Sequence, residues 1–198
     1  MGLLDSKVYR AMEFITTFCI LNVIWLLACL PIITIFPATT AMFAVIRDWK
    51  SEKKDSVIKN FFRAFRVHFK QSFLIGLAWI MMAILLIADF MFTNQLQNTM
   101  KYPLFFLFFF ITLVFLLSTV TIFPILVRFK GKALELVVYT CKVSIKFLPN
   151  SFLSIVVLSL SLVACFSFPG LSLILFSVTA FIIYSIANRY IEKIQLVS

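Results

Sequence analysis

The sequence predicts an all-α protein, a polytopic helical membrane bundle, and three observations predict it. No charged residue or His occurs in residues 14–46, 71–88, 102–127 or 147–188. Hydrophobic residues make up 63% of the 198 positions and charged residues only 13%, about half the charge fraction of a soluble domain. The 18 Lys and Arg and 8 Asp and Glu are crowded into the gaps between apolar runs. A hydrocarbon core about 30 Å thick takes about 20 apolar helical residues to cross. The chain therefore reads as one integral membrane domain, 1–198, with five transmembrane helices at about 14–35, 72–92, 103–127, 148–167 and 171–188. Residues 31–46 leave open a sixth crossing or a re-entrant segment, because Pro31 and Pro37 supply places for a break.

The first apolar run is too long for a signal-peptide core and lacks a small-x-small cleavage site, so it is expected to stay as an anchor. The last two spans share one uncharged run of 42 residues. Ser167-Phe168-Pro169-Gly170 is the expected turn between them, since Pro ends a helix and Gly admits positive φ. Lys and Arg number two before the first span, eight in the first loop, one in the second, five in the third, none in the fourth and two in the tail. With five spans the positive-inside rule puts the N-terminus outside and the C-terminus in the cytoplasm. An extra pass through 31–46 would bring the N-terminus inside.

Thr34-Ile35-Phe36-Pro37 recurs as Thr121-Ile122-Phe123-Pro124. Each copy is followed by a basic segment and then by Ser-Phe-Leu, at Ser72-Phe73-Leu74 and Ser151-Phe152-Leu153. The order suggests a parallel internal repeat of span, corner, cytoplasmic helix and span. Pro37 and Pro124 are the expected structural corners, each ending a span at the membrane surface.

Two cytoplasmic amphipathic helices are expected. In residues 57–70, Ile58, Phe61, Phe62, Phe65 and Phe69 share one helical face, and Lys59, Arg63, Arg66 and Lys70 share the other. Such a helix either lies among anionic lipid headgroups, or docks its Phe face on a partner or on its own bundle. Residues 133–147 form a more apolar counterpart. His68, the only histidine, falls near the boundary between the faces and reads as solvated or interfacial.

Chemistry is hard to find. Asp89 and Asn22 are the candidate intramembrane polar residues. Asp89 sits within reach of the outer interface, and Asn22 suits an interhelical hydrogen bond. The hydroxyls of Ser118, Thr119, Thr121, Ser159 and Ser161 suit helix-to-helix or helix-to-self bonds. Cys19, Cys29, Cys141 and Cys165 have no CxxC spacing and read as small apolar residues. No P-loop, HExxH, GxSxG or metal-ligand spacing is present, so no catalytic residue, metal or cofactor is expected. The basic charge belongs to topology and headgroups, and nucleic acid is not expected as a partner.

Leu30-Pro31-Ile32-Ile33-Thr34-Ile35-Phe36-Pro37-Ala38-Thr39-Thr40-Ala41-Met42, then Trp49, Phe61-Phe62-Arg63-Ala64-Phe65 and Phe69-Lys70-Gln71, resemble the YesL-like family of bacterial membrane proteins. The family usually shows a Gly where Phe36 stands. The resemblance implies a five- to six-span plasma-membrane protein and, by association, an accessory role in carbohydrate uptake or sensing, with transporter subunits as partners. It supplies no catalytic or binding residues. The alternative class is a small transporter or channel acting as a homo-oligomer, which predicts a polar path through Asn22, Ser118 and Ser159.

Overall fold

The computed structural model describes residues 3–51, 56–95, 101–129, 131–167, 170 and 172–195. Among these the chain is helical almost throughout, with α1 Leu3–Ala28, α2 Ile35–Lys50, α3 Val57–Gln95, α4 Lys101–Arg128, α5 Ala133–Lys146, α6 Leu148–Ser167 and α7 Ser172–Gln195. A 3-10 turn, Ile32–Thr34, leads into α2. By length and composition, Ile32–Lys50, α3, α4 and α6 are each able to cross a membrane, and Met12–Ala28 and Ile174–Arg189 are shorter apolar helices. The expected spans 72–92, 103–127 and 148–167 fall within α3, α4 and α6, and the last, 171–188, falls within α7 from Ser172 onward, with residue 171 outside the described residues. The turn expected at 167–170 falls where α6 gives way to α7, with Phe168 and Pro169 outside the described residues.

The outer surface and the interior are what a bilayer solvent selects. Leu27, Val67, Met81, Ile84, Phe92, Phe106 and Val163 are exposed. Thr40, Ser72, Ser118, Thr121, Ser144, Ser151, Ser154 and Ser177 are buried. Small hydroxylated residues let helix backbones approach and satisfy themselves within the protein, while large apolar side chains meet lipid. Ser72 Oγ donates to Thr40 Oγ1 at 3.0 Å, joining α3 to α2. Thr121 and Ser144 share a 2.5 Å bond between α4 and α5, and Ser177 Oγ reaches the Phe18 carbonyl, joining α7 to α1.

Four expectations are corrected. First, residues 57–70 are not a separate helix. No Gly or Pro interrupts the chain before Gly76, so the amphipathic segment and the next span are one rod of 39 residues, about 58 Å long at 1.5 Å per residue. Second, Pro37 does not end a span. The first helix stops at Ala28, and Pro37 occupies the first turn of α2, where its missing N–H is no loss. Third, Pro124 lies inside α4, which runs on to Arg128. Fourth, the start of α1 and the end of α7 lie at the same end of the bundle. Asn22 meets Ser172, Phe18 meets Ser177 and Phe14 meets Phe181, so α1 and α7 are antiparallel. Trp25 meets Thr39 and Phe18 meets Trp49, so α2 returns antiparallel to α1. The extra pass of α2 is what turns the start of α1 around.

The two Thr-Ile-Phe-Pro copies meet in the interior. Phe36 and Phe123 rings lie 5.2 Å apart, and Phe43 stacks on Phe123 at 5.7 Å. Both copies run toward the same end. One opens α2 and the other lies near the close of α4, so what precedes each copy differs. Both Ser-Phe-Leu serines are buried, and each bonds into the helix that follows its own copy, Ser72 to Thr40 of α2 and Ser151 to the Ser144 carbonyl of α5 at 3.5 Å.

Gly76 is required by the α2–α3 approach. A Cβ built there would sit 2.8 Å from Phe36 Cβ and Cγ. Gly76→Ala is expected to lower stability by about 1–3 kcal/mol through overpacking, and Phe36→Ala in the same chain should restore part of the loss. Thermal unfolding in detergent checks both.

Candidate functional site

The charged end of the bundle carries the densest polar chemistry among the described residues. α2 closes on Arg47-Asp48-Trp49-Lys50, the first charges after 33 residues without any. Asp48 is buried. Its Oδ1 accepts from Arg47 Nε at 3.0 Å and Nη2 at 2.9 Å. Its Oδ2 lies 3.9 Å from Arg63 Nη2 on α3, and the same Arg63 nitrogen donates to Asn60 Oδ1 at 2.6 Å. Arg47 Nη1 also donates to the carbonyl of Val127 on α4. That carbonyl belongs to the last turn of α4, where helical partners run out and the helix dipole is negative, so a guanidinium there is doubly favoured. Arg128 donates to Asn188 Oδ1 on α7, and Lys50 lies over the Tyr184 ring at 5.9 Å. One buried carboxylate and its arginines thus tie α2, α3 and α4, with Arg128 and Lys50 extending the tie to α7.

Trp49 packs beside this node against Phe14, Phe18 and Phe181, with ring centroids 5.5–5.7 Å apart. His68 on α3 is half-buried near Arg47 and Asp48. Burial lowers its pKa below the usual histidine value, the Arg47 charge lowers it further, and Asp48 opposes both. Sequence reading passed over Arg47 and Asp48. The available signal was an acid beside a base at the point where a long uncharged run ends.

The eight residues expected to form a partner or lipid surface separate. Phe61 is fully buried and belongs to the core around α2. Phe65 packs against that core and Phe69 is half-buried, linked by a ring ladder through Phe73. Phe62 is 52% exposed, and Ile58 and Val67 are exposed with it. Lys59, Arg63, Arg66 and Lys70 are exposed, although Arg63 is engaged by Asp48 and Asn60. On α5, Leu134, Val138 and Ile145 are exposed beside Lys142 and Lys146. The contact face on α3 is therefore Ile58, Phe62 and Val67 with the cations.

The intramembrane polar residues do not converge. Asn22 is 0% exposed and donates Nδ2 to the Ser172 carbonyl at 2.5 Å, while its Oδ1 has no partner. Ser118 donates to Cys141 Sγ at 3.6 Å. Ser159 faces outward, so the polar path through these three is not assembled. Asp89 is half-buried on α3, which continues to Gln95. A cavity of about 150 Å³ lies among α1, α2, α4, α6 and α7, lined by Trp25, Thr39, Phe43, Thr119, Phe123 and Thr179 among others. Its threonine hydroxyls donate to their own helices, at the Ile35, Phe115 and Leu175 carbonyls. Trp25 Nε1 donates to Thr39 Oγ1. A sugar needs polar groups left over to bind it, and these are already engaged. Among the described residues no group of three or more His, Cys, Asp or Glu is placed to hold a metal.

Residues 18–90 match a family described as a protein of unknown function, DUF624. The uncharacterized protein YesL of Bacillus subtilis strain 168 is 33% identical over 119 residues, covering 58% of this chain and 56% of YesL. The uncharacterized protein YteU of the same strain is 27% identical over 151 residues, covering 72% of this chain and 66% of YteU. The chain thus spans a little over half the length of YesL and under two thirds of YteU. No solved structure matches. The matched segment runs from the middle of α1 through most of α3 and contains the Arg47–Asp48 node. Over residues 18–90 the chain is thus similar to the DUF624 family, and over longer stretches to YesL and YteU.

Asp48→Ala leaves Arg47 without its carboxylate and is expected to cost about 3 kcal/mol, with Asp48→Asn costing less. Unfolding midpoints in detergent measure both. Because folding depresses the His68 pKa, the neutral form is favoured in the folded protein. That contribution is complete above about pH 6.5 and is lost as pH falls through the folded value. The unfolding midpoint should drop between pH 7 and pH 5, and His68→Gln should flatten the drop.

Proposed function

We propose that this YesL-like membrane protein is a non-enzymatic accessory of a bacterial carbohydrate uptake or sensing system. It resides in the plasma membrane, with its charged end in the cytoplasm. The observation that carries the reading is the first third of α3. It projects Ile58, Phe62 and Val67 together with Lys59, Arg66 and Lys70 beyond the uncharged part of the rod. An exposed apolar strip among cations suits a partner's cytoplasmic surface or an anionic headgroup layer, and it performs no chemistry by itself. The orientation rests on the positive-inside rule. With the start of α1 and the end of α7 at one end, the Lys and Arg of the described residues other than Lys101 belong to that end. The carbohydrate association rests on the family resemblance alone. A solute path through the bundle has less support, because the hydroxyls around the central cavity are paired within the protein and Ser159 faces away from it.

Mild crosslinking in native membranes followed by capture through a C-terminal tag tests the proposal. Recovery of sugar-transporter permease subunits is expected, with recovery reduced several-fold by Phe62→Glu. Recovery of this chain alone, as a defined oligomer, overturns the accessory reading in favour of a homo-oligomer.

A further inference from the structure

We propose that the cavity among α1, α2, α4, α6 and α7 is a binding site for the end of a lipid acyl chain, which enters it sideways from the bilayer. The proposal rests on insertion in a membrane, not on which face is cytoplasmic or on any protein partner.

The walls set the chemistry of the occupant. Phe43, Val120, Ala180 and Ile183 form a buried floor. Trp25, Thr39, Leu158 and Phe176 are half-buried around it, so the cavity reaches the outer surface. The Trp25 and Phe176 rings lie 5.1 Å apart and make the α1–α7 side of that rim. Apart from Trp25 and three threonines the lining is wholly apolar. The hydroxyls of Thr39, Thr119 and Thr179 donate to carbonyls one turn back on their own helices. Thr39 also accepts from Trp25 Nε1, and Thr119 from Trp79 Nε1 at 2.9 Å. No donor is left over on the lining side chains. An ordered water needs about two to four polar partners, so water is as poorly served here as a sugar. In an engineered soluble protein, an apolar void of about 150 Å³ stays dry and takes benzene or xenon. The cavity here, also about 150 Å³, has room for the last few carbons of a chain and none for a headgroup.

Depth selects the source of that chain. Met42, also in the lining, precedes Arg47 by five residues, Ile183 precedes Arg189 by six and Val120 precedes Arg128 by eight. The site therefore begins about 8–12 Å in from the first charges, toward the middle of a hydrocarbon layer about 30 Å thick. Acyl chains of the two leaflets meet end to end at the middle, so what the bilayer presents at the rim is a chain terminus. A vacant cavity leaves its wall atoms without contacts on one side. A chain end restores those contacts with no cost in hydration, because it passes from hydrocarbon to an apolar wall. The site lies beside the stacked Phe43 and Phe123 rings, so one occupant touches all five helices.

The test reconstitutes the full chain in phosphatidylcholine vesicles carrying a small fraction of lipid with a diazirine at the end of one acyl chain. After photolysis, adducts are mapped by mass spectrometry. Leu77 and Leu116, exposed on α3 and α4, lie seven residues after Lys70 and twelve before Arg128 and serve as lipid-facing controls within the same layer. Adducts on the buried floor, at Phe43, Val120, Ala180 or Ile183, are expected at a yield comparable with the controls. Ala180→Phe fills the floor and Leu158→Trp narrows the mouth. Each should lower the remaining floor adducts several-fold and leave Leu77 and Leu116 unchanged. The map of the unsubstituted chain decides the matter even if a variant fails to fold. Adducts at the controls with none on the floor overturn the proposal. Floor labelling by a small diffusible diazirine hydrocarbon, and not by the lipid, overturns the lipid source in favour of a small apolar solute.

Discussion

The bond from Arg47 to the carbonyl of Val127 holds the charged end of this bundle together. It joins the end of α2 to the end of α4 at a point where α4 has run out of its own donors. A guanidinium cannot be carried this close to a membrane interior without a counter-charge, and Asp48, its neighbour in sequence, supplies one. The same carboxylate lies 3.9 Å from Arg63 on α3. The charged pair thus touches three helices, and beside it Phe61, Ser72 and Gly76 of α3 are buried against α2.

Away from that end, cohesion comes from small polar residues and close approach rather than from a hydrophobic core of the aqueous kind. Lipid is as apolar as leucine, so burying leucine against another helix gains little. Contacts such as Ser72 to Thr40, Thr121 to Ser144 and Ser177 to Phe18 occupy the buried positions instead. Gly76 against Phe36 is the extreme case, a site where the approach leaves no room for a methyl group. Here the bulk of that ring is taken up by Gly76 on the facing helix and by Phe123 of the second Thr-Ile-Phe-Pro copy.

That second copy shows how one tetrapeptide serves two local structures. Proline in the first turn of a helix forfeits nothing, and so Pro37 opens α2. Pro124 lies well inside α4 and removes the donor that would otherwise bind the Val120 carbonyl, yet α4 continues to Arg128. Tertiary neighbours decide between opening and continuing, because the local preference of proline permits either.

Much of the architecture is legible in residue order alone. Long uncharged runs dictate membrane helices, since charge cannot be buried cheaply in hydrocarbon, and α4 follows its run closely. The amphipathic pattern of 57–70 marked the surface correctly in kind, as Lys59, Arg66 and Lys70 are exposed. It did not separate Phe61 from Phe62, which sit about 100° apart on one helix and face the core and the exterior respectively. Nor did it show that this segment and the following span are one rod, because a charge boundary is not a helix boundary. The direction of the first pass, the common end of the α1 start and the α7 close, and the Arg47–Asp48 node were decided only by tertiary structure. Each depends on whether residues 31–46 turn back. That turn is held by Thr34 bonding across to Ala28 and by Phe36 seating on Gly76, contacts between residues whose proximity no periodicity encodes.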